Sequence, residues 1–548
     1  MDMLTILNRG RACLACRTKK RRCDGVRPIC TPCMQSKRGH LCVFDAAPAR
    51  DAPNMKRRIK ELDGLVKNAK DAAGPSKSQE PTPISKLVSV SKPQPRPPLP
   101  MNAAAPTAVA LGDPQIEWWK DGSAVPLSIR DSLIDLCMRY SWHFSWHLNF
   151  RMLKARFELP QDHPDAPHPA LLYAVLLVGC IYTPSPLQCY EPIFLQRARR
   201  HLSQLLGTGT KMFDFLCAST LVGSHLYGKG RMREGHYHIS AAARFAVGCG
   251  LHQIGSLSLD AQVPSALLFP CLELAELGDR ITIFWELVCF DRVGSIFLDV
   301  PATIADKEVT TLWPCPSTYY EDGRAYTQTT GSIQMLNDPK RLRLARGDSF
   351  VALRQKAVIL LARTTSLSAR VKSGDPEDTA LMGEISLNCQ CTQAFVESLP
   401  AFHVQEGEAE DLDAARALLS VAFVSAYSAV IQAYGMAPKI DYAARDVQSD
   451  AAKRAIVIVK EIDLMPRCYV PLLIGWSLLP VHEVLVRQHV RATALGQEDA
   501  RAIQGDIQLV LRVVERIGEL FPAIATATAD IMTQNTEAVK VEHAKGST

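Results

Sequence analysis

Three kinds of pattern are missing from this 548-residue sequence, and each absence excludes a class of protein. No region shows sustained apolar–polar alternation with tight glycine turns, so β-strands are not the organising element. No G-x-S-x-G, P-loop or G-x-G-x-x-G motif is present, which argues against an enzyme. The start, MDMLTILNRG, has neither a basic segment nor a long apolar stretch, so we expect a reducing compartment rather than secretion.

Positive charge is concentrated near the amino terminus. Residues 1–70 contain 17 Lys or Arg and 6 Asp or Glu, a net charge of +11, whereas the remainder contains 45 basic and 50 acidic residues, a net charge of −5. This asymmetry indicates that the first part of the chain binds a polyanion and that the rest does not.

Composition divides the chain into five parts. Residues 10–45 form a cysteine-rich basic module, and residues 55–70 form a short helix with coiled-coil-like apolar spacing. Residues 71–114 contain ten prolines and predict an extended or disordered linker. Residues 115–532 predict one large all-α domain, and residues 533–548 predict a frayed tail.

Turn and capping residues predict where the helices of the large domain begin and end. Ser128 begins an S-x-x-D capping sequence, Gly207 is placed to end one helix, and Gly250 is placed to end another. Residues 417–437 contain no charge over 21 positions, which is long enough to span a membrane. Because four polar side chains interrupt this segment and no second segment resembles it, we predict a buried core helix and no membrane partner.

The cysteines are unevenly distributed. Eleven of the 17 are scattered singly, mostly among apolar neighbours, where a cysteine acts as a small hydrophobic residue. The other six form two C-x-x-C pairs, each followed by a further cysteine, and they occupy the positions Cys13, Cys16, Cys23, Cys30, Cys33 and Cys42. Clustered thiols in a reducing compartment are typical of a metal site.

The number of thiols fits a binuclear zinc cluster. Structural zinc takes four ligands in tetrahedral geometry, so two ions need about eight ligand positions, and six thiolates supply these if two of them bridge both ions. Cys13 and Cys30, the first cysteine of each half, are the natural bridges. One zinc then adds Cys16 and Cys23, and the other adds Cys33 and Cys42. So short a segment cannot bury enough apolar surface to fold alone, so metal binding supplies the folding free energy.

Two other interpretations of the cysteines stay open at this point. A single zinc ion with two spare cysteines would also use the C-x-x-C pairs. A protein-binding module of the RING or ribbon type would use them as well, although such modules usually have a longer gap between pairs.

Cations cluster beside the predicted zinc ligands. The segment RTKKRR between Cys16 and Cys23 would form a short helix that carries Arg17, Lys19, Lys20, Arg21 and Arg22. Some of these cations would neutralise phosphates, and one or two at the exposed end of the helix would reach guanine O6 and N7 in the major groove. In the second half of the module, Lys37 and Arg38 would contact phosphates.

The stretch CLACRTKKRRCDGVRPICTPCMQSKRGHLC at residues 13–42 resembles the DNA-binding domain of fungal Zn(2)-Cys(6) binuclear zinc-cluster transcription factors, with every cysteine in register. The resemblance implies two zinc ions and helices that read CGG-type triplets end-on in the major groove. It also implies that Lys20 makes the main base contact and Lys19 a second one, while Arg17 and Arg22 hold phosphates.

The large domain resembles the fungal-specific transcription factor domain, also called the middle homology region. The resemblance lies in residues 133–150, 230–255 and 279–304, and it includes Asp291, Arg292 and Pro301. The arginines that usually precede the tryptophan of this region are reduced to Arg280, and Val300 replaces a usual glycine. We expect Asp291 and Arg292 to form a buried structural pair. Such a pair stabilises the fold only if it is fully hydrogen-bonded.

One histidine pair in the large domain has a zinc-like spacing. His143 and His147 are four residues apart, but they lie among Trp142, Phe144 and Trp146 without an H-E-x-x-H motif. We therefore predict an aromatic core cluster here and no catalytic site.

Together these features predict a nuclear, sequence-specific transcription factor that binds double-stranded DNA and regulates RNA polymerase II transcription. Its other expected partners are the transcription machinery, a second copy of the chain bound through residues 55–70, and a small-molecule effector that no motif identifies. The alternative for residues 55–70 is a solvated helix on a monomer. The alternative for the whole chain is a zinc-stapled nuclear adaptor that binds proteins and has only non-specific affinity for DNA.

Overall fold

The computed structural model describes a part of the chain in detail. This part comprises residues 13, 16, 18, 19, 23, 30–36, 42, 124–144, 148–183, 187–328, 331–345, 347–373, 379–404, 411–436, 442–466 and 469–546. The chain divides into two compact units, Met1–Thr82 and Pro83–Thr548. The predicted short helix at 55–70 and the predicted linker at 71–114 lie outside the described residues.

The predicted mainly α fold is confirmed, because the described residues contain 17 α-helices and no strand. Helix α1 in the first unit spans Thr31–Gln35. The first seven helices of the second unit are α2 (Leu127–Tyr140), α3 (Phe150–Phe157), α4 (Pro169–Gly179), α5 (Glu191–Thr208), α6 (Met212–Gly228), α7 (Met232–Gly248) and α8 (Leu274–Leu298). They are followed by α9 (Ser317–Glu321), α10 (Pro339–Leu344), α11 (Phe350–Ser373), α12 (Thr379–Ser398), α13 (Leu412–Gly435), α14 (Tyr442–Leu464), α15 (Ile474–Ala494), α16 (Ala500–Gly518) and α17 (Pro522–Gly546).

Two long, buried helices organise the second unit. Helix α8 packs against α6, α7 and α11, and helix α13 packs against α11, α12, α14 and α15. Because α11 contacts both, one continuous hydrophobic core extends from Val125 to Met532. Side-chain hydrogen bonds cross the α8–α11 contact, where Gln355 donates to Glu286 at 2.7 Å in a fully buried position.

Helix α13 contains the long uncharged segment of the sequence. It is the one described helix that is long and apolar enough to cross a membrane, and 94% of its apolar window is buried inside the protein. Its polar atoms are paired internally, because Ser425 and Ser477 hydroxyls lie 2.8 Å apart and Ser428 donates to the backbone oxygen of Ser477 on α15. These contacts are those of a core helix, as the sequence predicted.

The amino-terminal end of α2 differs from the prediction. The helix begins at Leu127, the residue before it is Pro126, and no side chain caps it. The amide of Arg130 already donates to the carbonyl oxygen of Pro126 at 2.9 Å. The predicted cap at Ser128 was therefore wrong, because the proline starts the helix earlier and places Ser128 inside the first turn.

The carboxyl-terminal ends of two helices test the glycine predictions. Helix α5 continues past Gly207, and Gly209 is the left-handed residue that ends it, with φ of 66°. The amide of Gly209 donates to the carbonyl of Leu205, so the stop lies two residues later than predicted. Gly250 follows the end of α7 with φ of 78°, as predicted.

The carboxyl-terminal tail is more ordered than the sequence suggested. Helix α17 runs to Gly546, so residues 533–546 are helical rather than frayed. Met532 is buried, whereas residues 541–544 are exposed. The weak apolar pattern of this segment did not reveal the helix, whose second half contacts the core through the partly buried Val539.

We predict that Gly179→Ala destabilises the second unit by about 1–3 kcal/mol. A Cβ atom at this position of α4 would collide with the backbone carbonyl of Leu133 on α2, which cannot rotate away as a side chain would. Gly383→Ala is the matched control, because Gly383 is exposed in α12 and has open space around it. The control should stabilise by about 0.4–1 kcal/mol. Urea unfolding followed by circular dichroism measures both, and equal effects would contradict the close α2–α4 contact.

Candidate metal centre

The six clustered cysteines lie together in the first unit. All six are buried and form a cluster of their own, separate from the hydrophobic core of the second unit. Cys13 and Cys30 are fully inaccessible, and Cys42, the most accessible of the six, has a relative accessibility of 9%. Cys23 and Cys42 therefore belong to the same buried cluster as the two C-x-x-C pairs and are not exposed at the surface.

The sulfur atoms divide into two overlapping groups of four. The first group is Cys13, Cys16, Cys23 and Cys30, and the second is Cys13, Cys30, Cys33 and Cys42. Within each group all ligand atoms lie within 4.8 Å of one another. The two groups share Cys13 and Cys30, so the structure places these two sulfurs where both metal sites overlap.

The distances between sulfur atoms fit zinc. Four sulfurs at about 2.3 Å from a zinc ion in tetrahedral geometry lie about 3.8 Å from one another. The Cys13 and Cys30 sulfurs are 3.7 Å apart, and the same distance separates Cys13 from Cys33 and Cys16 from Cys30. Each of these pairs lies within one of the two groups of four.

The close packing of the thiols also fits a metal site. Burial, together with a hydrogen bond to Cys13, raises the pKa of Cys16 to about 12. Burial likewise raises the pKa of Cys30 well above the ordinary thiol range. Six sulfurs this close together cannot all ionise near neutral pH without positive charge between them, and zinc dications supply it.

Local structure holds the second C-x-x-C pair in place. Helix α1 starts directly after Cys30, with Pro32 in its first turn, where the missing amide hydrogen costs nothing. The amides of Cys33 and Met34 both donate to the Cys30 carbonyl at 3.0 Å. The Ser36 hydroxyl donates to the Pro32 carbonyl at 2.8 Å at the other end of the helix. The turn therefore fixes both cysteines of the pair against the cluster.

One of the predicted DNA-contacting residues is described. Cys16 and Thr18 are helical, and Lys19 lies exposed in the turn that follows them. Lys19 therefore directly follows helical residues, and its side chain is exposed. The other predicted DNA contacts, Arg17, Lys20, Arg21, Arg22, Lys37 and Arg38, lie outside the described residues.

The Asp291–Arg292 pair of the second unit is structural. Asp291 Oδ2 lies 3.2 Å from the Arg292 guanidinium and accepts hydrogen bonds from the backbone amides of Thr303 at 2.8 Å and Ile304 at 3.2 Å. Arg292 donates to the side chain of Asp306 at 2.6 Å. The pair fastens the segment after α8 to the helix, and it is nearly but not completely hydrogen-bonded, because Asp291 Oδ1 has no partner among the described residues.

The histidine predicted to join an aromatic cluster does so. His143 is buried and stacks on Trp142, with ring centroids 3.8 Å apart, and its ring also lies near Tyr182 and Phe521. His147 lies outside the described residues. In the described part of the chain, the two cysteine groups are the sets of side chains with metal-binding geometry.

The geometry of the first unit is that of a small metal-binding module with an exposed lysine beside it, and the second unit is all-α. Comparison with known families gives two matches. Residues 11–51 match the fungal Zn(2)-Cys(6) binuclear cluster domain, and residues 146–388 match the fungal specific transcription factor domain. Comparison with curated proteins finds no match.

The chain therefore contains the two domains of fungal zinc-cluster transcription factors, a Zn(2)-Cys(6) binuclear cluster domain and a fungal specific transcription factor domain. It binds DNA and two zinc ions, and its domains are those of a nuclear protein. Both matched families are transcription-factor domains and not enzymes.

Proposed function

We propose that residues 10–45 bind two zinc ions through two groups of four cysteines and read CGG-type triplets in the major groove. Cys13 and Cys30 bridge the two ions. Cys16 and Cys23 complete one site, and Cys33 and Cys42 complete the other. The observation that carries this proposal is the overlap of the two groups at Cys13 and Cys30.

Base reading is assigned to the basic helix of the first half. The exposed position of Lys19 directly after the helical residues Cys16 and Thr18 supports this assignment. Lys20 makes the main contact with guanine O6 and N7, and Lys19 makes a second contact. The remaining cations, Arg17, Arg21, Arg22, Lys37 and Arg38, hold phosphates and give salt-dependent affinity.

The rest of the chain places this module at its target and regulates RNA polymerase II transcription there. Residues 55–70 dimerise the protein, residues 71–114 set the distance between the module and the regulatory domain, and residues 115–532 form that domain. Dimerisation would fix the spacing of the two half-sites.

Lys20→Ala is expected to reduce affinity for a CGG site by about 1–3 kcal/mol and to relax discrimination at the contacted position. Arg38→Ala is the matched control for a phosphate contact. It should weaken binding to all sequences about equally and lower the slope of log K against log salt by about 1. Fluorescence anisotropy of the full-length protein on CGG and mismatched duplexes, at several salt concentrations, measures both. If Lys20→Ala weakened all sequences equally, the base-reading role would be wrong and the adaptor interpretation would gain support.

A further inference from the structure

A cleft opens in the second unit beside three consecutive helices. Helices α5 and α7 each pack against α6, and the cleft lies between them with α6 as its floor. Its volume is about 470 Å³, which falls within the range of about 300–1,000 Å³ typical of small-molecule sites. Neither the metal centre nor any predicted motif accounts for this cleft.

The floor of the cleft and part of its rim are apolar. Leu202 of α5 and Phe215 of α6 are buried at its base. The Phe215 ring is fixed edge-on against Phe245, with ring centroids 5.2 Å apart. Leu206 and Tyr237 stand at the rim with relative accessibilities of 42% and 70%. An apolar ligand body would remove these exposed surfaces from water.

Three polar side chains that line the cleft have no hydrogen-bond or ion-pair partner within the described part of the chain. They are the hydroxyl of Ser219, the imidazole of His238 and the guanidinium of Arg233. Ser219 is 1% accessible, His238 is partly buried and Arg233 is exposed. These three groups are therefore available to form hydrogen bonds with a ligand in the cleft.

The charge of the cleft favours an anion. Glu234 is shared by two arginines: Arg199 lies 2.6 Å from its carboxylate across the cleft, and Arg231 lies 2.7 Å from it along α7. These hydrogen bonds hold the pKa of Glu234 at about 2, so the carboxylate stays ionised. The single carboxylate cannot neutralise both of these arginines and Arg233 as well, so an excess of positive charge remains.

The imidazole of His238 can form hydrogen bonds but adds no charge to the cleft. Burial, followed by the nearby Arg199 guanidinium, lowers the pKa of His238 to about 4. At neutral pH His238 therefore offers one donor and one acceptor beside the donor and acceptor of Ser219.

We propose that this cleft binds a small organic monocarboxylate with an apolar body and one hydroxyl group. The carboxylate pairs with Arg233, the apolar body lies against Leu202 and Phe215, and the hydroxyl bonds to Ser219 and His238. The site does not depend on DNA reading, and its ligand goes beyond the function proposed above.

The probe for this site is 4-hydroxyphenylacetate, with two analogues that each lack one recognised feature. Phenylacetate lacks the hydroxyl, and 4-hydroxyphenylacetamide lacks the charge. Titration of the full-length protein without DNA, followed by calorimetry and ligand-observed NMR, should show saturable binding of the hydroxy acid. Each analogue should bind about tenfold more weakly, since one charge-assisted or buried hydrogen bond is lost.

Two substitutions and one control locate the binding. Arg233→Gln should weaken 4-hydroxyphenylacetate about tenfold and leave the amide unchanged. Ala241→Trp, which fills the cleft from α7, should abolish binding of all three compounds. Arg200→Gln removes an exposed arginine of α5 that does not line the cleft and should change nothing.

Thermal unfolding of each variant separates loss of the site from loss of the fold. Saturable, charge-selective binding that Arg233→Gln weakens and Arg200→Gln preserves would establish the site. The proposal would be overturned by the absence of saturable binding to the folded wild-type protein. Equal affinity for the acid and the amide, or binding that survives Ala241→Trp, would overturn it as well.

Discussion

Cys30→Ser is expected to reduce the zinc content from two ions per chain to less than one and to abolish sequence-specific DNA binding. Cys30 belongs to both groups of four sulfurs, so its loss removes a ligand from each site at once. Structural zinc sites contribute apparent binding energies of about 10–16 kcal/mol, and a module of this size has little other stabilisation. Atomic emission gives the zinc content, and binding to a CGG duplex gives the functional loss.

Two further substitutions make this prediction specific. Cys23 belongs to one group only, so Cys23→Ser should leave about one ion at the other site. Cys189 is an exposed cysteine of the second unit, and Cys189→Ser should retain both zinc ions. If Cys30→Ser lost no more zinc than Cys23→Ser, the bridging role of Cys30 would be wrong.

Asp291→Ala should destabilise the second unit by about 3–5 kcal/mol. The carboxylate is fully buried, and its loss leaves the backbone amides of Thr303 and Ile304 without their acceptor. Arg292 would then keep Asp306 but lose its neighbouring charge. Urea unfolding followed by circular dichroism reports this change, because helices make up the second unit.

The matched control for Asp291 is an ion pair on the surface. Asp450 lies 2.8 Å from Arg454 on α14, with both side chains more than half exposed. Asp450→Ala should cost about 0–1 kcal/mol, because water and salt screen exposed pairs. An equally small effect of Asp291→Ala would show that the segment after α8 is held by apolar packing rather than by this carboxylate.

The metal centre was the most predictable part of the protein. Zinc dictates four ligands and tetrahedral geometry, so counting six cysteines and their spacing led to two sites that share Cys13 and Cys30. The structure forms two groups with this same membership. Coordination alone would allow many pairings of six thiols, but the repeated C-x-x-C…C spacing gives each half one bridging cysteine and two terminal ones in chain order, and this predicted the membership of both groups.

Helix ends in the second unit were less predictable. Ser128 and Gly207 have the right chemistry to cap helices, yet Pro126 and Gly209 mark the actual ends. Local propensities differ by only about 1 kcal/mol between neighbouring positions, so tertiary packing decides the last turn. The carboxyl-terminal helix was missed for a related reason, because its outer half has almost no apolar face.

The cleft beside α6 had no signal in the sequence. Ser219, Arg233 and His238 come from two helices, and although Arg233 and His238 lie within the stretch 230–255 used for the family resemblance, no ligand-binding motif joins the three. Their lack of partners is visible only when all neighbouring side chains are placed. The proposed site depends on polar side chains that have no hydrogen-bond partner within the described part of the protein. The sequence does not show which side chains lack such a partner.

Selection from a random DNA pool with the full-length protein, with and without a zinc chelator, tests the central claim most directly. We expect enrichment of CGG-containing sites that disappears on chelation, and the spacing of enriched triplets would report whether the protein binds as a dimer. Zinc-loaded, folded protein that enriches no sequence would contradict base reading and favour a zinc-stapled adaptor.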